Sequence, residues 1–120
     1  MQSLREILES YGSNYEETME RFLEDETFYL KILGMLLKDA SMKKLHDALD
    51  SKDVAAAFDA AHTLKGISGN LGLTPFYAAV CTMVEALRGR DPEGDYFALY
   101  QCVEAEYKRV ELLWQELHEI

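Results

Sequence analysis

The sequence predicts an all-α protein, an antiparallel four-helix bundle with one or two additional short N-terminal helices. Apolar residues recur at three- and four-residue intervals along most of the chain, the period of a helix with one buried face. No run of alternating β-branched residues appears, so strands are not expected. Only 2 prolines and 7 glycines among 120 residues leave room for long uninterrupted helices.

Residues 3–11 read as a short first helix with Leu4, Ile7, Leu8 and Tyr11 on one face and Gly12 to close it. Asn14, followed by Glu17, resembles a capping box opening a second helix that carries Tyr15, Met19, Phe22 and Leu23 and ends near Asp25. Residues 26–50 follow, with Phe28, Ile32, Met35, Leu36, Met42, Leu45 and Leu49 as the apolar stripe. The stripe thins between Asp39 and Ser41, where the helix has room to bend. Asp50 or Ser51 is the candidate cap of the next helix, DVAAAFDAAHTLKGISGNLG. Thr74-Pro75 reads as an N-cap hydroxyl followed by proline at the first helical position. Phe76, Ala79, Val80, Met83 and Leu87 supply the buried face there, and the RGRDPEG segment stops that helix. The last helix repeats Tyr96, Leu99, Tyr100, Val103, Tyr107, Val110, Trp114 and Leu117, a span of about 36 Å. The chain therefore reads as one domain over 1–120, with N-terminal helices in 1–25 and the bundle in 26–118. Met1 and a helical closure near Ile120 favour a free-standing form.

A net charge of −10 and a sequence pI near 4.6 repel phosphate backbones and anionic membrane surfaces, which argues against nucleic-acid and membrane partners and for a soluble monomer. No apolar run is long enough to span a membrane, and the start MQSLREILE is no signal peptide, so the chain reads as cytoplasmic. Cys81 and Cys102 have no metal-ligand spacing and fall among helical core positions, as reduced, buried thiols.

The stretch AAHTLKGISGNLG, residues 60–72, conflicts with helix propensity. Each interior glycine costs roughly 1 kcal/mol relative to alanine. On a wheel of about 100° per residue, Ala57, Ala61, Leu64, Ser68 and Leu71 share one face. His62 points the other way, with Ala55, Phe58, Asp59, Lys65, Gly66 and Gly69. One reading ends the helix at Lys65, with Gly66 as its C′ residue. The other continues the helix, because Ser68 and Leu71 keep the core phase, and leaves His62 proud beside bare backbone and an exposed Phe58. That face is then a docking surface with an aromatic anchor.

A neutral imidazole nitrogen is a good nucleophile near pH 7. An ammonium one turn away favours the neutral form and is placed to hold the oxygens of an incoming phosphoryl group. His62-x-Leu64-Lys65-Gly66 followed by Ser68, Gly69, Asn70, Leu71 and Gly72 resembles the signature of histidine-containing phosphotransfer (HPt) domains of two-component phosphorelays. The match is specific from Leu45 to Arg88 and one of pattern in the outer helices. The resemblance implies that His62 is the phosphoryl acceptor through Nε2 and that Lys65 steadies the phosphoryl oxygens. It further implies that Gly66 keeps the imidazole accessible and that Arg88 lies close to the histidine. The polar position one turn before Arg88 is here Val84, so a hydrogen bond orienting the ring is missing or comes from elsewhere.

The implied partners are response-regulator receiver domains and an upstream hybrid histidine kinase. Phe58, Asp59, Gly66, Gly69 and Arg88 are the expected contact residues. The receiver supplies an acidic pocket and Mg²⁺, and the chain itself binds no cofactor. Lys65, Arg88 and Arg90 form a positive patch suited to that pocket. GISGNLG fails the P-loop pattern, so the chain is not an autonomous kinase. Two alternatives remain at this stage: a receiver-binding adaptor without phosphotransfer, and a metal-binding bundle built on the Asp59-x-x-His62 spacing. The latter needs a second inward-facing motif, and His46 and His118 instead read as surface or edge residues on other helices.

Overall fold

The computed structural model describes residues 3–118, through which run seven helices. These are α1 Leu4–Tyr11, α2 Tyr15–Arg21, α3 Glu26–Lys38, α4 Ser41–Asp50, α5 Val54–Asn70, α6 Thr74–Leu87 and α7 Phe97–His118. No strand occurs among the described residues. The expectations for the side chain of His118 and for a closure near Ile120 fall outside the described residues.

The helix ends show where local chemistry departs from the sequence reading. Ser3 carries a full capping box with Glu6. At Asn14 only half of one forms. Its side chain accepts from the Glu17 backbone N–H at 3.0 Å, while the Glu17 carboxylate lies 3.7 Å from Arg21. The second helix ends at Arg21 rather than near Asp25, because Leu23 and Glu24 take positive φ and Asp25 becomes the cap of α3. The bend foreseen in 26–50 is a break: Asp39 is extended at ψ 142, and its carboxylate accepts from the Ser41 N–H at 2.8 Å.

Neither Asp50 nor Ser51 caps α5. They finish α4, and Asp53 accepts from the Ala56 N–H at 3.1 Å instead. Thr74 likewise lies inside α6 rather than capping it, and Leu73 at the cap position offers no side-chain acceptor. The Phe76 N–H of that first turn donates to the Tyr11 hydroxyl of α1 at 3.2 Å. A tertiary contact thus replaces a local cap.

Helix α5 packs between α4 and α6, α6 packs on α7, and α1 and α3 lie along α7. The elongated body measures 47 × 24 × 21 Å. Its core runs from Leu4, Leu8, Met19, Tyr29 and Leu33 at the N-terminal helices through Leu45, Ala61, Leu64, Phe76, Val80, Val103 and Val110. Cys81 is half-buried and Cys102 exposed, not the buried pair expected. Val103 takes the core position beside Cys102, so its neighbour turns outward.

The N-terminal helices do more than cover the bundle. The last carbonyls of α5 and its turn lack intrahelical donors. Arg21 Nε donates to the Asn70 carbonyl at 3.1 Å, the buried Tyr29 hydroxyl to the Leu71 carbonyl at 2.8 Å, and Ser13 Oγ to the Gly72 carbonyl. Gly72 adopts φ +65, and a Cβ there would stand 2.1 Å from Thr18 Oγ1. Only glycine allows both the turn and this approach.

Two outcomes are expected. Tyr29→Phe leaves a buried carbonyl without its donor and should cost about 1–3 kcal/mol in urea unfolding. At high pH, burial holds the Tyr11 phenol at a pKa of about 12 and also raises that of Tyr29. The folded state therefore keeps protons that the unfolded chain releases from about pH 10. Stability should fall as pH rises above about 10, and unfolding should coincide with a step in tyrosinate absorbance. Tyrosinate signal growing smoothly through a native-like fold would contradict this.

Candidate functional site

Helix α5 runs unbroken through Gly66 and Gly69 to Asn70, so Gly66 is an interior helical residue and not a C′ stop. Ala57, Ala61, Leu64, Ser68 and Leu71 are buried, in the phase read from the sequence. His62 stands exposed on the opposite face, with Asp59 exposed and Lys65 half-buried.

The two glycines differ. A Cβ on Gly66 would meet nothing within 4 Å, so the backbone one turn beyond His62 is open. A Cβ on Gly69 would come 2.9 Å from Tyr77 Cε1. Gly69 is therefore where the Tyr77 ring of α6 lies against α5, and the expected two-glycine notch is open only at Gly66.

Phe58 is half-buried rather than exposed and packs against the core. Its ring centre lies 5.9 Å from that of His62, with the planes 31° apart. The guanidinium carbons of Arg88 and Arg90 lie 5.5 and 5.1 Å from the Phe58 centre. Arg90 reaches it because the chain turns back after α6: it takes φ +54, and its N–H donates to the Leu87 carbonyl at 2.9 Å. Phe58 is thus a platform for two cations, each contact worth about 0.5–1 kcal/mol at an exposed site. Arg88 stands next to the histidine's aromatic neighbour, and Arg90 joins it.

Val84 is fully buried in the core, so its side chain has no access to the imidazole face. The residue on the rim is Glu85. Its carboxylate accepts from Arg88 Nη2 at 3.0 Å and from Arg88 Nε at 3.2 Å. These hydrogen bonds, then the charge of Arg88 and more weakly that of Lys65, lower the Glu85 carboxyl below its ordinary pKa. Sequence reasoning missed Glu85 and Tyr77. The signal was the i, i+4 series Tyr77, Cys81 and Glu85 with Arg88 one turn on, a stripe of α6 that borders α5.

No group of three or more His, Cys, Asp or Glu side chains converges on a metal position among the described residues. Asp59 and His62 therefore lack the further ligands that the metal-bundle reading requires. A groove of about 540 Å³ lined in part by His46, Leu49, Tyr96, Phe97 and Tyr100 includes none of the α5 site residues. No helix among the described residues is long and apolar enough to cross a membrane.

The sequence matches the family model of the Hpt domain over residues 31–119. No curated protein matches it. The fold is similar to the crystal structure of the HPT domain from an Hpt sensor hybrid histidine kinase from Shewanella. The TM-score is 0.76 and the identity 21%, over 92% of this chain and 97% of that one. At this identity the likeness is one of fold. The family match extends from within α3 through α7 and contains the whole helix that presents His62, so the chain belongs to the Hpt domain family.

Proposed function

We propose that this chain is a phosphorelay intermediate: His62 takes a phosphoryl group from a receiver-domain aspartate and passes it to the aspartate of another receiver. The observation that carries this reading is the exposed imidazole on an unbroken helix, one turn from half-buried Lys65 and beside the open backbone of Gly66. Family membership supports a phosphotransfer role in general. The residue roles and the direction of transfer are our assignment.

The chemistry asks for a lone pair on Nε2, hence the proton on Nδ1. Nε2 attacks phosphorus in line, the N–P bond forms, and the bond to the aspartyl oxygen breaks with its electron pair staying on the carboxylate. Such a transfer is mostly positioning plus charge stabilisation. Lys65 supplies an ammonium to the phosphoryl oxygens. Gly66 lets the partner's surface approach, Phe58 holds the cations and the ring, and Asp59, Gly69 and Arg88 border the contact. The receiver brings the acidic pocket and Mg²⁺. A hybrid histidine kinase upstream, cytoplasmic location and a monomeric working form complete the proposal.

The test mixes the protein with a radiolabelled phosphorylated receiver and Mg²⁺. Label should appear on this chain in acid-labile, alkali-stable form, and His62→Gln should abolish it while changing stability by only about 0.5 kcal/mol. Label absent with every receiver that binds would make the chain an adaptor instead. Lys65→Ala should slow transfer by about 10- to 100-fold, the loss of one charged hydrogen bond.

Gly66 separates stability from function. Gly66→Ala enters open space and should stabilise the fold by about 1 kcal/mol through helix propensity. Gly66→Gln should likewise raise the melting temperature, since glutamine is a good helix former, yet suppress transfer from the receiver. Normal transfer by Gly66→Gln would remove the glycine from the docking surface.

A further inference from the structure

We infer that Glu85 is a positioning residue of this site, an internal carboxylate that holds Arg88 until a phosphoryl group on His62 draws that arginine away. The inference rests on the phosphotransfer reading above and assigns a resting state to its cations.

Glu85 engages Arg88 at two points, 3.0 Å to Nη2 and 3.2 Å to Nε. The same guanidinium lies 5.5 Å from the Phe58 ring centre, and that ring is 5.9 Å from the imidazole. Arg88 is therefore parked on the histidine's neighbour with its carboxylate-binding edge already occupied. The charge of Lys65, on α5, adds only weakly to the lowering of the Glu85 carboxyl, so Arg88 is the partner that decides its state.

The strength of this arrangement decides how it behaves. The two side chains are 55% and 63% exposed, so their attraction is weakened by water and salt. A phosphoryl group carries more charge than a carboxylate and offers three acceptor oxygens, for which arginine's fork is well suited. Phosphorylated His62 should therefore outcompete Glu85 for Arg88, and Glu85 should reclaim it when the phosphoryl group leaves. The latch lowers the net charge that the empty site presents and reduces how firmly the loaded site is held.

Phosphohistidine lifetime reads this out without a partner. The protein is loaded chemically with phosphoramidate, and decay of the His62 signal is followed by ³¹P NMR, with His62→Gln identifying label on His46 and His118. Glu85→Gln should lengthen the half-life about 2- to 5-fold, the range of an exposed ion pair. In an Arg88→Ala background the same substitution should have no effect, which a merely structural role for Glu85 would not produce. Supporting this, the Arg88 Nε–H resonance should shift on loading in the wild type.

An unchanged half-life in Glu85→Gln overturns the inference. So does an equal lengthening with and without Arg88, which would reduce Glu85 to a nearby negative charge. Failure of every receiver to label a chain that phosphoramidate loads normally would instead overturn the relay reading and leave the latch intact.

Discussion

Everything at this site depends on α5 remaining a helix through a segment whose composition disfavours one. Two glycines in its second half cost roughly 2 kcal/mol of propensity, and the His62 face buries little in return beyond Phe58. The offset comes from the other face and from the far end. Ala57, Ala61, Leu64 and Ser68 are fully buried, and their small side chains admit α4 and α6 closely on either side. The carbonyls of Asn70, Leu71 and Gly72 find donors on Arg21, Tyr29 and Ser13. The α1–α2 turn, α2 and α3 thus fasten the end of the helix that presents His62, two turns away. Gly66 is left with no packing task, which is what makes its vacant surface informative.

The second constraint is electrostatic. A chain of net charge −10 has to gather cations beside one imidazole. It does so with an aromatic ring rather than with a cavity: Phe58 is half-buried against the core, and two guanidinium groups lie over it. The second of these comes from the irregular segment after α6, where positive φ at Arg90 folds the chain back. Glu85 moderates the cluster. Two guanidinium groups are thus gathered on one ring in a chain that is acidic overall, an arrangement that complements a partner with an acidic pocket.

The fold class and the phase of α5 were legible because they depend on periodicity, which a single helix carries by itself. His62, Lys65 and Gly66 were legible for the same reason, since a helix wheel places them without reference to neighbours. What escaped depends on contacts distant in sequence. Whether Phe58 is exposed is decided by Arg88 and Arg90, some thirty residues on, and whether Gly69 is open is decided by Tyr77 on the next helix. The cap of α6 could not be read as Tyr11, because that hydroxyl arrives from 65 residues away. Val84 occupies the position where the family resemblance expects a polar residue one turn before Arg88. The packing of α6 sends it into the core and brings Glu85 to the surface, which only the fold reveals.

A nucleophile carried on an open helix face has a consequence for recognition. A pocket would complement one substrate; an exposed imidazole beside a bare glycine leaves the shape of the reacting site to whichever partner covers it. On the proposed relay reading, two receivers in succession would use the same few atoms, provided that each brought its own acidic pocket and that the helix did not move between encounters. The rigidity supplied by α4, α6 and the fastened end of α5 meets the second condition. The first makes specificity a property of the surrounding surface, where the α6 stripe of Tyr77, Cys81, Glu85 and Arg88 runs beside the histidine's helix. On the proposed relay reading, selectivity among receivers would fall to that stripe and to Phe58, while His62, Lys65 and Gly66 would carry the transfer itself.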